Sequence, residues 1–291
     1  MGKKSSKIHV KHRMMMKQSI AVLLTVHNRK AKTLECLHRL YAQLPLDGCQ
    51  VDVYLTDDGC TDGTPEAIRL QFPQVHIIHG DGNLFWNRGM YTAWKEAAKK
   101  NYEFYLWLND DTFVYPNMLS TLLQTSQQKE DKAIIVGPTQ SADHQTTTYG
   151  GRMANGQIAA VHGELIPIHH FNGNIVLIPR FVYQQLGNLD YYFTHSKGDF
   201  DYGLRAGKAG IGMYQIGTYL GECELHESLD KWCNPAVPFK QRWKMLHRPN
   251  GMPPKETFHL EKRHIGLCTA LFHYCTIYIR CIIPQLWIKF K

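Results

Sequence analysis

Residues 104–116 read FYLWLNDDTFVYP, and the reading of the fold turns on them. The apolar run at 104–108 has the length and character of a buried strand, and it stops abruptly at Asn109-Asp110-Asp111. In an open α/β sheet, ligands are held outside the carboxyl ends of the strands. Two carboxylates at such an end are therefore candidates for holding a cation and a phosphorylated ligand. Read without their neighbours, the same two acids would equally serve as a solvated turn or as the cap of a following helix.

Upstream, the same grammar repeats. Residues 19–26 are a near-continuous apolar run, the pattern of a parallel strand covered on both faces, and Leu34, Leu37, Leu40, Tyr41 and Leu44 follow at helical spacing. Residues 51–55 form a second strand, and TDDGCTDGTP leads into a helix with Thr64 as cap and Pro65 in its first turn. A short strand at 75–79, the loop Gly80-Asp81-Gly82-Asn83 and a helix over 87–100 complete a third unit. Four strand-to-helix units in succession predict an α/β fold with a doubly wound, mostly parallel sheet and helices on both faces.

Downstream of Asp111 the pattern is less regular. It predicts a helix over 118–128, a strand over 133–136, a hairpin excursion over 144–163, an apolar strand at 175–178 and helices at 181–186 and 203–209. A last strand at 211–216 ends near Glu222-Cys223-Glu224-Leu225-His226. These boundaries give a basic mobile arm at 1–17, a catalytic-type domain at 18–235 and a helical C-terminal extension at 236–291.

Hydrophobic residues make up 44% of the 291, enough core for one large domain or two small ones, so disorder is excluded for most of the chain. The formal charge is +8, with basic residues gathered at both ends. That distribution suits anionic membrane surfaces or phosphorylated ligands, and no nucleic-acid motif accompanies it. The apolar tail at 265–288 contains His273, Arg280 and Pro284. A central arginine costs about 2.5–3.5 kcal/mol on insertion scales, which favours a helix lying in the membrane interface over a packed core helix, and either over a span. Eight scattered cysteines without a CxxC pair read as reduced thiols, and the first apolar run is too short for a signal peptide and lacks a cleavage site. The expected location is cytoplasmic, peripheral at the cytoplasmic face of the membrane.

Three acidic clusters, Asp57-Asp58, Asp110-Asp111 and Asp199/Asp201, fall at strand ends or helix starts. A site that must hold a divalent cation with substrate phosphates, and accept a hydroxyl proton, needs carboxylates in such places. A P-loop and a GxGxxG turn after the first strand are both missing.

The ordered series LLTVHNR, VYLTDDGCTDGT, LWLNDDT, FNGN and GDFDYGLRAGKAG resembles the family 2 glycosyltransferases of the GT-A fold. The resemblance runs from about residue 19 to 226, and LFWNRGM with the tail is similar to rhamnosyltransferase-like enzymes of bacterial cell-surface polysaccharide synthesis. It implies inverting, metal-assisted transfer from a nucleotide-diphosphate-sugar to a glycan or lipid-linked acceptor. Thr25, His27, Asn28 and Arg29 would line the nucleotide pocket, with His27 where the family usually has Tyr; Asp57 and Asp58 would contact base and ribose; Arg88 and Asp110 would complete the donor site. Asn109 and Asp111 occupy the metal motif, with His226 as a further ligand for Mg²⁺ or Mn²⁺, and Asn109 replaces the first acid of that motif. Asp199 takes the position of the general base, and Trp86, Asn172, Gly173, Asn174 and Asp201 would border the acceptor. A nucleotidyltransferase, or a noncatalytic sugar- or membrane-binding protein of the same fold, would share the acid layout.

Overall fold

The computed structural model describes residues 18–225 and 231–288, so the basic arm and His226 lie outside the described residues. Four strands, β1 (Gln18–Val26), β2 (Cys49–Asp57), β3 (His76–His79) and β4 (Phe104–Leu108), run parallel in the order β4-β1-β2-β3. Helices α1 (Lys30–Tyr41), α2 (Thr64–Gln71) and α3 (Phe85–Ala97) make the crossovers. Because side chains alternate along a strand, β1 feeds two cores. Val22 and Leu24 pack with Leu37, Leu40, Leu55 and Ile68, whereas Ala21 and Leu23 pack with Met90, Trp94, Tyr105 and Trp107. A near-continuous apolar run is what such a doubly covered strand requires.

Beyond β4 come β5 (Phe113–Val114), α4 (Met118–Gln128), β6 (Ile134–Val136), β7 (Thr139–Gln140), β8 (Thr147–Tyr149), β9 (Gly151–Arg152), β10 (Ile166–Pro167) and β11 (His170–Phe171). They are followed by β12 (Ile175–Pro179), α5 (Arg180–Leu186), α6 (Gly198–Lys208), β13 (Met213–Gln215) and β14 (Gly221–Glu222). The main sheet has the order β10-β13-β6-β12-β4-β1-β2-β3, and β5, β14, β7 and β8 form a smaller sheet. Within the main sheet β12 is antiparallel to both β4 and β6. It arrives from the hairpin excursion rather than by a helical crossover, and an antiparallel neighbour needs no crossover. That reversal sets the site: the end of β4 lies beside the start of β12, with Ile175 opposite Leu108 and the Asn109 amide donating to the Asn174 carbonyl at 3.1 Å.

Two of the boundaries that differ from the sequence reading bear on the site. Helix α3 begins at Phe85, so Trp86 and Asn87 belong to its first turn. Helix α6 begins at Gly198 rather than at residue 203, which puts Asp199 and Asp201 inside the helix. The apolar tail also breaks up, into α7 (Phe239–Leu246), α8 (Pro254–His264), α9 (Leu267–Ile282) and α10 (Gln285–Ile288). At 16 residues α9 reaches only about 24 Å, against a bilayer core of about 30 Å, and no helix among the described residues is long and apolar enough to cross a membrane. Pro284 explains the stop, since the residue before a proline is driven out of helical geometry.

Candidate active site

The carboxyl ends of β1, β2 and β4 and the start of β12 converge, and each acidic cluster there has a different employment. Asp110 and Asp111 are each 5% exposed at the end of β4. Both meet one guanidinium: Arg29 Nη1 lies 3.3 Å from Asp110 Oδ1 and 2.7 Å from Asp111 Oδ2. Thr33 in α1 donates to Asp110 Oδ2 at 3.2 Å. Burial pushes the Asp110 carboxyl up to about 7; Arg29 draws it down and Asp111 adds to the rise. Asn109, the neutral member of the motif, turns its Oδ1 to the Trp86 indole N–H at 2.7 Å.

At the end of β2 the acids face inward. Asp58 Oδ1 accepts from the amides of Gly82 and Leu84 at 2.8 and 3.2 Å, and Oδ2 from the amide of Phe85 at 2.8 Å. The carboxylate expected on a ribose thus satisfies the orphan N–H groups where α3 begins, a cap supplied from another strand. Asp57 Oδ1 accepts from the Cys60 amide at 2.9 Å and Oδ2 faces His79 Nδ1 at 3.2 Å. His27 Nδ1 lies 2.6 Å from the Asp58 carbonyl; a carbonyl only accepts, so this nitrogen donates, and Nε2 accepts from Asn28 Nδ2 at 3.2 Å. Asn28, with φ 51°, accepts from the Thr61 amide at 2.7 Å and so ties the loop after β1 to the loop after β2. Thr25 is buried against Gly89 of α3, where a Cβ would collide with its hydroxyl.

The third cluster divides. Asp199 Oδ2 accepts from the Gly173 amide at 3.1 Å and Oδ1 from its neighbour Phe200 at 2.9 Å; both bonds come from backbone. Burial pushes its carboxyl up to about 6, against the pull of those N–H groups and of the charge on Arg152. Asp201 was expected beside the acceptor, but it is fully buried and accepts from Arg205 Nε at 2.8 Å, Arg263 Nη1 at 2.7 Å and His264 Nε2 at 2.9 Å. Its lone pairs are committed to the protein. Arg88, expected on the diphosphate, donates instead to the carbonyls of Tyr191 and Tyr192 at 3.1 and 3.5 Å and stacks over the Tyr191 ring.

Around Asp199, the structure brings together Trp86, Asn172 and Gly173. The indole of Trp86 covers Gly173 so closely that a Cβ there would lie 2.5 Å from the ring. Asn172 accepts from Arg152 Nε at 3.0 Å. Asn174 points the other way, with its amide 3.4 Å from both the Thr112 hydroxyl and Cys223 Sγ.

The sequence model for the family described as glycosyl transferase family 2 matches residues 21–187, which include most of β1, all of the parallel strands β2 to β4 and the Asp110-Asp111 end. This chain is a family 2 glycosyltransferase. No curated protein matches it. Among solved structures, the mannosyltransferase PcManGT from Pyrobaculum calidifontis, in complex with GDP-Man and Mn²⁺, is similar with a TM-score of 0.54 and 16% identity, over 89% of this chain and 73% of that one. TarS residues 1–349 from S. aureus gives a TM-score of 0.56 and 10% identity, over 92% of this chain and 72% of that one. GalNAc-T7 with UDP, GalNAc and Mn²⁺ gives 0.53 and 14%, over 72% of this chain and 44% of that one. At such identities the likeness establishes the shared GT-A fold.

The glycosyltransferase has a donor set that fits a hard divalent cation. Asp111 and Asp110 offer adjacent oxygen donors, and the cation balancing them is a side chain, Arg29, which is 39% exposed. Among the described residues no three His, Cys, Asp or Glu side chains form a closed cage. Two contributors escaped the sequence reading. Cys223 places its Sγ 3.8 Å from Asp111 Oδ1, and burial, then Asp111, pushes its thiol up to about 12, so it remains a neutral S–H donor. Arg152 was hidden in the Gly-rich hairpin, although a lone arginine after Gly150-Gly151 was its one signal.

Proposed function

We propose that this glycosyltransferase moves a sugar, with inversion at the anomeric carbon, from a nucleotide-diphosphate-sugar to a hydroxyl of a glycan or lipid-linked acceptor in cell-surface polysaccharide synthesis. The observation that carries the reading is Asp199: a partly buried carboxylate, held by backbone N–H groups, with its acidity moved to about 6. A base poised near neutral pH is mostly ionised in working conditions yet retains affinity for a proton. Asp199 takes the proton of the acceptor hydroxyl as that oxygen bonds to the anomeric carbon. The bond from that carbon to the diphosphate oxygen breaks on the opposite face, and the diphosphate leaves with the electron pair.

Asp111, helped by Asp110, would hold Mg²⁺ or Mn²⁺, which supplies positive charge for the departing diphosphate. Arg29, which pairs with both acids, would supply a second positive charge beside the diphosphate. Asn109 keeps Trp86 in place, and Trp86 with Gly173 and Asn172 forms the floor on which the acceptor sits.

Residues 236–291 carry ten Lys or Arg and two acids, Glu256 and Glu261, a net of +8 that equals the charge of the whole chain. Glu256 is buried and the Glu261 side chain is only 15% exposed, while Leu267, Leu271, Phe272 and Ile279 of α9 are about half exposed or more. Basic and apolar side chains without exposed acid suit an anionic lipid surface, and support peripheral attachment at the cytoplasmic face.

The deciding experiment measures transfer from a panel of nucleotide-sugars by the wild type and by Asp199→Asn. Near-wild-type transfer by a folded Asp199→Asn would remove the base assignment. Transfer unaffected by a chelator would remove the metal.

A further inference from the structure

The segment between α5 and α6 is gripped from two sides. From α3, Asn87 Nδ2 donates to the carbonyls of Asp190 and Phe193 at 2.8 and 2.7 Å, and Arg88 holds Tyr191 and Tyr192. From α8, Arg263 Nη2 donates to Asp190 Oδ2 at 2.6 Å, and His259 stacks on Tyr192 with centroids 4.0 Å apart. Glu256 Oε1 accepts from both the amide and the hydroxyl of Thr194, at 3.1 and 2.8 Å.

The grip continues into α6. Residues two apart on a helix point about 200° away from each other, so in this first turn Asp201 and Asp199 face opposite ways. Asp201 faces α8 and receives Arg263 and His264; Asp199 faces Gly173. Fixing Asp201 therefore fixes the rotation of the turn and the direction of Asp199. Just before the turn, Lys197 is in the left-handed region with φ 76°, a conformation that is strained for a non-glycine residue and persists only where its surroundings dictate it. Burial lowers the pKa of its ammonium, against the attraction of Glu256, Asp199 and Glu261.

We propose that α8 of the C-terminal extension is part of the catalytic apparatus, with Arg263 and Glu256 as positioning residues that aim Asp199 at the acceptor hydroxyl. This rests on Asp199 being the base. An alternative in which α8 merely adheres to the domain predicts lower stability and nothing else.

The test uses the full chain with Arg263→Gln, Glu256→Ala and Glu256→Gln, measuring transfer kinetics, the acid limb of the pH profile and thermal stability. Positioning predicts that Arg263→Gln lowers kcat by about 10–10²-fold with donor KM within about twofold, and displaces the acid limb. Glu256→Ala lowers kcat about tenfold, and Glu256→Gln restores most of it, because an amide oxygen still accepts from Thr194. Unchanged kcat and acid limb in folded variants, with only a lower Tm, would overturn the proposal. Should Arg263→Gln fail to fold, the Glu256 pair decides. Asp199→Asn is assayed alongside: survival of transfer there removes the base, whereas loss of transfer there with unaltered α8 variants removes only the positioning role.

Discussion

The end of β4 and the head of α6 each present two nearby aspartates, and they solve the burial of charge in opposite ways. Asp110 and Asp111 share the guanidinium of Arg29, a side chain that is 39% exposed. Asp199 and Asp201 divide the work: Asp201 takes Arg205, Arg263 and His264, and Asp199 is left with backbone amides. A carboxylate in a protein is characterised by what closes on it. Paired with an exposed cation it suits a ligand site, paired with fixed cations it is a strut, and given only N–H groups it either caps a helix, as Asp58 does, or, at Asp199, keeps a raised affinity for a proton.

The strongest way to break this contrast is at Asp199. Asp199→Asn should lower transfer by about 10²–10⁴-fold, and in the wild type transfer should fall as pH drops through about 6. The stability consequence has a defined sign. Because the folded pKa lies above the ordinary 3.8, the folded state holds the proton longer than the unfolded one, so this group costs stability as pH rises from about 4 to about 6. Any stabilisation of Asp199→Asn relative to wild type should accordingly be larger at pH 7 than at pH 4; a pH-independent difference in Tm would contradict the buried, raised carboxyl.

Next in size, Asp111→Asn should cost about 10²-fold in transfer and raise the Mn²⁺ concentration needed for half-maximal rate. An unchanged metal requirement would shift the ligand role elsewhere. Arg29→Ala leaves two buried acids unbalanced and should cost about 1–2 kcal/mol in chelator, discounted for the exposure of the guanidinium. Added Mn²⁺ should return much of that loss; no recovery in a thermal melt would show that Arg29 does not stand where a cation binds. The smallest effect belongs to Arg88→Ala, which should lower stability by about 1 kcal/mol and leave donor KM within about twofold. A tenfold rise in donor KM would mean that Arg88 leaves its carbonyls for the diphosphate.

The parallel strands were legible because a doubly buried strand must be apolar along its whole length, and the acids at their ends were legible because they interrupt it. What each acid touches was not legible. Asp58 meets amides 24 to 27 residues away, Asp201 meets Arg263 and His264 more than 60 residues away, and no local pattern announces either pairing. The antiparallel β12 was hidden for a related reason: an apolar pentapeptide buried on both faces reads alike in either direction. The early start of α6 followed from Lys197, whose left-handed backbone lets the helix begin at Gly198 where the sequence suggested a loop.

The crowding over Gly173 has a consequence for how this enzyme can change. Its amide reaches Asp199, its α-carbon lies under the Trp86 ring, and the Trp86 indole reaches Asn109, next to Asp110-Asp111. Three contacts thus span from the residue proposed as proton acceptor to those proposed as cation ligands, with no slack for a methyl group. A side chain at position 173 would therefore disturb both ends of this relay at once, which makes the pair Gly173 and Trp86 the least replaceable part of the site.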